Sequence, residues 1–242
     1  MLIREGLTGL RILLCYLITV VGLLLLVKRF IKVPQELTRK TLHLMIAGSV
    51  FVWLYAFRTW YVSAISAAVL AILLYPILTL VERLPWYSKF LSERRVGEVK
   101  NSMVVFFLMM VVLITVFWGW LGSGSKYIIV AAVMAWGFGD AAAALVGKAY
   151  GRLYITNRFV EGKKTVEGTV SMYAMSVLAI FITILLYTHK PWFVCLAIGL
   201  LVAPASALVE LYTRRGMDTI TVPLTVAGAV SVLIRVLDLF GV

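Results

Sequence analysis

Lys126-Tyr-Ile-Ile-Val130-Ala-Ala-Val-Met-Ala-Trp136-Gly-Phe-Gly-Asp140-Ala-Ala-Ala-Ala-Leu-Val-Gly147-Lys148-Ala-Tyr-Gly151-Arg152 is an apolar run that ends in charge. From 126 to 147 its side chains are apolar or small, apart from Lys126 at the start and a single carboxylate, Asp140. A helix of about 18 or more such residues is long enough to cross the hydrocarbon core of a bilayer. Working outward, seven further runs of this kind cover 7–27, 41–57, 59–81, 103–121, 169–187, 191–211 and 219–240, the last two interrupted by Pro204 and Pro223. The chain is 62% hydrophobic and 14% charged, with mean hydropathy +1.01, values that exclude an ordinary soluble domain. The expected fold is all-α: a polytopic helical membrane protein of about eight transmembrane helices, one domain over 1–242, with no long linker and no internal repeat. The first run lacks a small-residue cleavage site and reads as a retained helix rather than a signal peptide.

The net charge of +12 raises nucleic acid as a partner, but the placement of the charges points elsewhere. Numbered in order, the odd loops between runs carry Lys28, Arg29, Lys32, Arg39 and Lys40; then Arg83, Lys89, Arg94, Arg95 and Lys100; then Lys148, Arg152, Arg158, Lys163 and Lys164; and finally Arg214 and Arg215. The even loops carry only Arg58, Lys126 and Lys190. This is the positive-inside pattern, which assigns the odd loops to the cytoplasm and, with an even number of crossings, both termini to the far side. Such a face attracts anionic lipid head groups, and no nucleic-acid partner is implied. Cys15 and Cys195 sit inside apolar runs and read as packing residues.

The acidic residues gather at the ends of the same loops. A charge at mid-membrane costs roughly 2.5–3.5 kcal/mol, so Asp140 and Glu210, both preceded by apolar chain, need a partner or a wet cavity. Each reads either as a helix-end ion pair with a nearby basic residue or as a magnesium-binding carboxylate. Magnesium takes one or two protein carboxylates and completes its shell with phosphate oxygens and water. After Asp140 the small residues 141–144 permit close helix packing. A glycine-punctuated basic loop is expected next, in which Gly147 and Gly151 bracket Lys148 and let the backbone approach an anion. Glu161-Gly-Lys163-Lys164-Thr165-Val-Glu167-Gly168-Thr169 then opens the sixth run. A helix start with its free N–H groups favours phosphate, and two lysines add point charges suited to a triphosphate. The plainer alternative makes the lysines positive-inside anchors and Glu167 a first-turn acid. The segment lacks the spacing and the preceding strand of a Walker A loop.

A second constellation, Arg39-Lys40-Thr-Leu-His43, opens the second run, with Arg39 and His43 spaced to share a helix face. His43 reads either as a structural hydrogen-bonding group or as a contact to phosphate. His189, beside Lys190 and Pro191, suggests no role.

Together, Arg39-Lys40-x-x-His43, Gly139-Asp140-x-x-Ala-x-x-x-Gly147-Lys148-x-x-Gly151 and Lys163-Lys164-Thr165-x-Glu167-Gly168 resemble the dolichol kinase and phytol kinase family. Glu93-Arg-Arg-x-x-Gly97-Glu98-Val is similar to a charged loop of phytol kinase-like members. Glu210 and Gly216-Met-Asp218-Thr-Ile-Thr221-Val-Pro223-Leu resemble the family's carboxyl-terminal segment. The resemblance runs from Arg39 to Leu224 and implies an integral membrane enzyme that phosphorylates a lipid alcohol, typically from CTP, with magnesium and a cytoplasmic active site. It implies catalytic roles for Asp140, His43, Lys164 and Asp218. Nucleotide contacts are implied for Arg39, Lys40, Gly147, Lys148, Gly151, Lys163, Lys164, Thr165, Glu167 and Gly168, and metal ligation for Asp140 with Glu98, Glu210 or Asp218. The Lys-Lys-Thr form looks like dolichol kinases and leans toward an isoprenoid alcohol of polyprenol, dolichol, phytol or geranylgeraniol type, with diacylglycerol an alternative. The middle signature also looks like phosphatidate cytidylyltransferases, which makes formation of a CDP-lipid the second reading. A transporter is disfavoured because the charges collect at one face, whereas carrier sites lie near the midplane.

Overall fold

The computed structural model describes residues 1–83, 97–214 and 216–241. The basic residues Lys89, Arg94, Arg95 and Arg215, and Glu93 of the charged-loop resemblance, lie outside the described residues. Among the described residues regular structure is helical, apart from one isolated antiparallel bridge between Tyr154 and Thr165. Among the described residues eight α-helices follow in order: α1 (Leu2–Phe30), α2 (Gln35–Ala56), α3 (Trp60–Val81), α4 (Glu98–Leu113), α5 (Lys126–Tyr150), α6 (Val166–Tyr187), α7 (Trp192–Tyr212) and α8 (Asp218–Leu239). A π-helical segment, Ile114–Trp120, extends α4. Seven of these elements are long and apolar enough to cross a membrane, and the protein is a polytopic helical membrane protein.

Two expectations need correction. The second apolar run folds as α2, but α2 is not among the seven, because Glu36, Arg39, Lys40 and His43 occupy its first half. The even number of crossings therefore rests on charge placement rather than on apolarity. Pro204 and Pro223 do not interrupt their helices: α7 and α8 run through them. Membrane helices tolerate proline where neighbouring helices and hydroxyl side chains satisfy the freed carbonyls. Pro223 leaves the Thr219 carbonyl without its helical donor, and on either side of it Thr221 and Thr225 donate their hydroxyls to the Met217 and Thr221 carbonyls at 3.1 and 2.8 Å.

The chain forms two compact units, Met1–Trp120 and Leu121–Val242. In the first, the Tyr16 hydroxyl donates to the Met45 carbonyl at 2.8 Å and joins α1 to α2. Glu5 on α1 accepts from the backbone N–H groups of Arg58 and Thr59 and from the Thr59 hydroxyl at 2.8–2.9 Å. A carboxylate thereby caps the positive end of α3. Buried Trp53, Phe57, Phe106 and Phe107 form the aromatic core.

In the second unit α5, α6, α7 and α8 form a ring in which each helix packs on the next and α8 returns to α5. Helix α5 is the most enclosed of the apolar helices. Between helices whose side chains are as apolar as lipid, association depends on close van der Waals packing and interhelical hydrogen bonds rather than on the hydrophobic effect. Gly139, Ala143 and Gly147 repeat at one-turn spacing on α5 and meet Gly168, Met172 and Ser176 at the same spacing on α6. A Cβ on Gly168 would stand 2.8 Å from the Ala143 carbonyl oxygen, and one on Gly147 3.5 Å from Gly168 Cα. The Ser176 and Ser206 hydroxyls, 3.0 Å apart, link α6 to α7.

This crossing distinguishes two glycines. Gly168→Ala drives a methyl group into backbone and should cost about 1–3 kcal/mol of stability. Gly139→Ala meets chiefly the Met172 thioether, 2.4 Å from the added Cβ, which can rotate aside, so its loss should be smaller. Thermal unfolding of the detergent-purified variants reads the difference, and equal losses would contradict it.

Candidate active site

Because α5 to α8 alternate in direction, the ends of α5 and α7 and the starts of α6 and α8 share one end of the ring. The expected glycine-punctuated loop after Asp140 is corrected here. Helix α5 continues through Gly147 and Lys148 to Tyr150, and only Gly151 lies beyond it, at the cap. The alanines at 141–144 favour helix, and close packing on Gly168 offsets the roughly 1 kcal/mol helix penalty of Gly147. The glycines let the protein approach itself: a Cβ on Gly151 would stand 2.2 Å from the Gly147 carbonyl oxygen and 2.6 Å from Thr165 Cγ2. Lys148 is exposed in the last turn.

The segment 151–165 is held down at several points. Tyr154 and Thr165 form the antiparallel bridge, with Ile155 N–H donating to the Lys164 carbonyl and Val166 N–H to the Leu153 carbonyl, both at 2.9 Å. Thr165 is the N-cap of α6, its hydroxyl accepting from Gly168 N–H at 3.1 Å. Glu167 accepts from the backbone N–H groups of Arg152 and Leu153 at 2.9 and 3.2 Å. Arg214, in the connection from α7 to α8, donates to the Arg158 carbonyl and, at 3.2 Å, to that of Phe159. The expected helix-start N–H groups at Val166 and Gly168 are thus taken by the protein itself, which leaves the lysine side chains as the cationic feature of this entry. Lys163 is exposed. Lys164 donates to the Glu210 carboxylate at 2.9 Å and to the Glu210 main-chain carbonyl.

The carboxylates come from three helices. Asp140 is buried on α5, Glu210 lies near the end of α7, and Asp218 stands in the first turn of α8. Asp140 and Asp218 both lie within electrostatic reach of Glu210. Buried Trp136, one turn before Asp140, donates its indole N–H to Asp218 at 3.3 Å. Helix α5 therefore supplies both a carboxylate and the donor that orients a second one. The sequence carries one signal for Trp136, its one-turn spacing from Asp140. Among the described residues no three His, Cys, Asp or Glu side chains converge to hold a metal by themselves. Magnesium takes one or two carboxylate oxygens from a protein, and in donor chemistry Asp140 and Asp218 are of the kind that ion requires.

The remaining candidates belong to the first unit. Arg39 pairs with Glu36 one turn away and with Glu98 at 2.7 Å, so its two terminal nitrogens are engaged by protein carboxylates and tie α2 to α4. Glu98, placed after left-handed Gly97, serves there as an ion-pair partner. Lys40 is buried and His43 half-buried on α2.

Glu167 anchors the loop backbone, which predicts that Glu167→Ala loosens 151–165 without unfolding the bundle. Limited trypsin digestion should then cut at Arg152, Arg158 or Lys163 several-fold faster than in the parent protein. Unchanged cleavage would remove this role.

Comparison with known proteins agrees with the site's chemistry. No protein-family model matches the chain, and no solved structure matches it. A phytol kinase from Synechocystis sp. (strain ATCC 27184 / PCC 6803 / Kazusa) is 33% identical over 195 residues, covering 79% of this chain and 76% of that enzyme. Identity at that level over more than three quarters of both chains extends well beyond the short motifs, and the chain belongs to the phytol kinase family of lipid-alcohol kinases.

Proposed function

We propose that this protein phosphorylates the hydroxyl of an isoprenoid lipid alcohol with the γ-phosphate of CTP, in the presence of magnesium, at the cytoplasmic face of its membrane. The observation that carries the reading is the gathering of Asp140, Asp218 and the Lys164–Glu210 pair at one end of a four-helix ring, in a chain of the phytol kinase family. CTP as donor and the isoprenoid acceptor are supported by the family resemblance, and the cytoplasmic orientation by the basic odd loops.

The alcohol enters from the bilayer with its tail among lipid and its hydroxyl at the charged helix ends. Lys164, with Lys148 and Lys163 nearby in the chain, neutralises charge on the triphosphate. The alcohol oxygen forms a bond to the γ-phosphorus while the bond from that phosphorus to the β-bridging oxygen breaks, and CDP leaves. The hydroxyl proton passes to a carboxylate oxygen of Asp140 or Asp218 late in the transfer. Phosphoryl transfer depends chiefly on positioning and charge stabilisation, so no strong base is needed. Asp140 and Asp218 would hold magnesium, which when bound offsets phosphate charge and orients the donor.

The test is a transfer assay on detergent-purified protein with γ-labelled CTP, magnesium, and phytol, geranylgeraniol, a dolichol, diacylglycerol and phosphatidate in parallel. Label should appear in an isoprenyl monophosphate with CDP released. Asp140→Asn should reduce turnover by about 100-fold or more while leaving the protein folded and membrane-inserted. Label leaving as pyrophosphate while phosphatidate becomes a CDP-lipid would overturn the kinase reading, and label entering diacylglycerol alone would overturn the isoprenoid acceptor.

A further inference from the structure

The Lys164–Glu210 pair is not used as a unit by the mechanism above. The ammonium is held from two directions by one residue, at 2.9 Å by Oε1 of Glu210 and also by its main-chain carbonyl, with both side chains largely shielded. Glu210 lies two residues before the end of α7, where carbonyls lack intrahelical donors and the helix dipole favours a cation. An ammonium has three N–H donors, so a third is left for a phosphate oxygen. The charge balance points the same way. Asp140 and Asp218 both act electrostatically on Glu210, and the Lys164 ammonium offsets Glu210 by direct contact, so this carboxylate is matched by a protein cation before a divalent ion arrives.

We propose that Glu210 is a positioning residue that fixes the Lys164 ammonium for the terminal phosphate of the nucleotide, and that it is not a magnesium ligand. This rests on the second unit being the nucleotide site. A free lysine would have to be ordered each time nucleotide binds, whereas here two contacts between α7 and the entry to α6 order it in advance.

The experiment measures equilibrium binding of CTP to the full-length protein in detergent at several magnesium concentrations. It compares the parent protein with Lys164→Ala, Glu210→Ala, Glu210→Gln, the Lys164→Ala/Glu210→Ala double variant and Asp140→Asn. Lys164→Ala and Glu210→Ala should each raise Kd about tenfold, the size of one charge-assisted hydrogen bond. The double variant should be no worse than either single one. Glu210→Gln, whose amide oxygen still accepts from the ammonium, should lose less, and this variant carries the test if Glu210→Ala fails to fold. The magnesium concentration for half-maximal binding should move in Asp140→Asn and stay unchanged in both Glu210 variants. A magnesium shift in Glu210→Gln equal to that of Asp140→Asn, or single effects that multiply in the double variant, would overturn the role of Glu210 alone. Absence of CTP binding by the parent protein would overturn the nucleotide-site reading and this role with it.

Discussion

Close backbone approach between α5 and α6 is the constraint on which the second unit depends. In a protein whose helices are as apolar as their solvent, small residues at one-turn spacing let two backbones approach more closely than larger side chains allow. Gly147 and Gly168 meet where α5 ends and α6 begins, so the same contact that joins the helices determines where the intervening chain must turn. Gly151 lets it turn directly over the end of α5, and Thr165 caps α6 beside it. Asp140 and Lys164 are thereby delivered to the same end of the ring, one on a rigid helix and the other on a short tethered arm.

Electrostatics supplies the second constraint. Carboxylates gathered in a low-dielectric setting repel one another, and donors supplied by the protein offset that repulsion. Asp218 takes the Trp136 indole and Glu210 takes Lys164. In the first unit Arg39 plays the corresponding part between Glu36 and Glu98. Each of these groups is oriented before any ligand arrives, and preorganisation of this kind is what a reaction with little covalent chemistry for the protein to perform demands.

The helical, membrane-embedded class was legible in the sequence because composition and run length report burial in lipid directly, and all eight apolar runs became helices. Alternating crossings bring alternate loops to one side, which places Asp140, Lys164, Glu210 and Asp218 toward one end of the ring, whereas the pairing of Lys164 with Glu210 has no signal in the sequence. Gly147 misled because its low helix propensity suggests a loop, whereas tertiary packing on Gly168 decided otherwise. Glu167 looked like a ligand for substrate, but its partners are main-chain N–H groups in the preceding loop, which no side-chain pattern announces. Trp136 and Asp218 are remote in sequence, as are Arg39 and Glu98, and pairings of that range become visible only once the helices are packed.

Hydrogen exchange with and without magnesium and CTP tests most directly whether these helix ends are the reacting site. Nucleotide held there should slow amide exchange in the segment 151–165, the last turn of α7 and the first turns of α8, with Asp140→Asn needing more magnesium for the same effect. Protection confined to other helices, with these segments exchanging at the same rate in both conditions, would contradict the assignment.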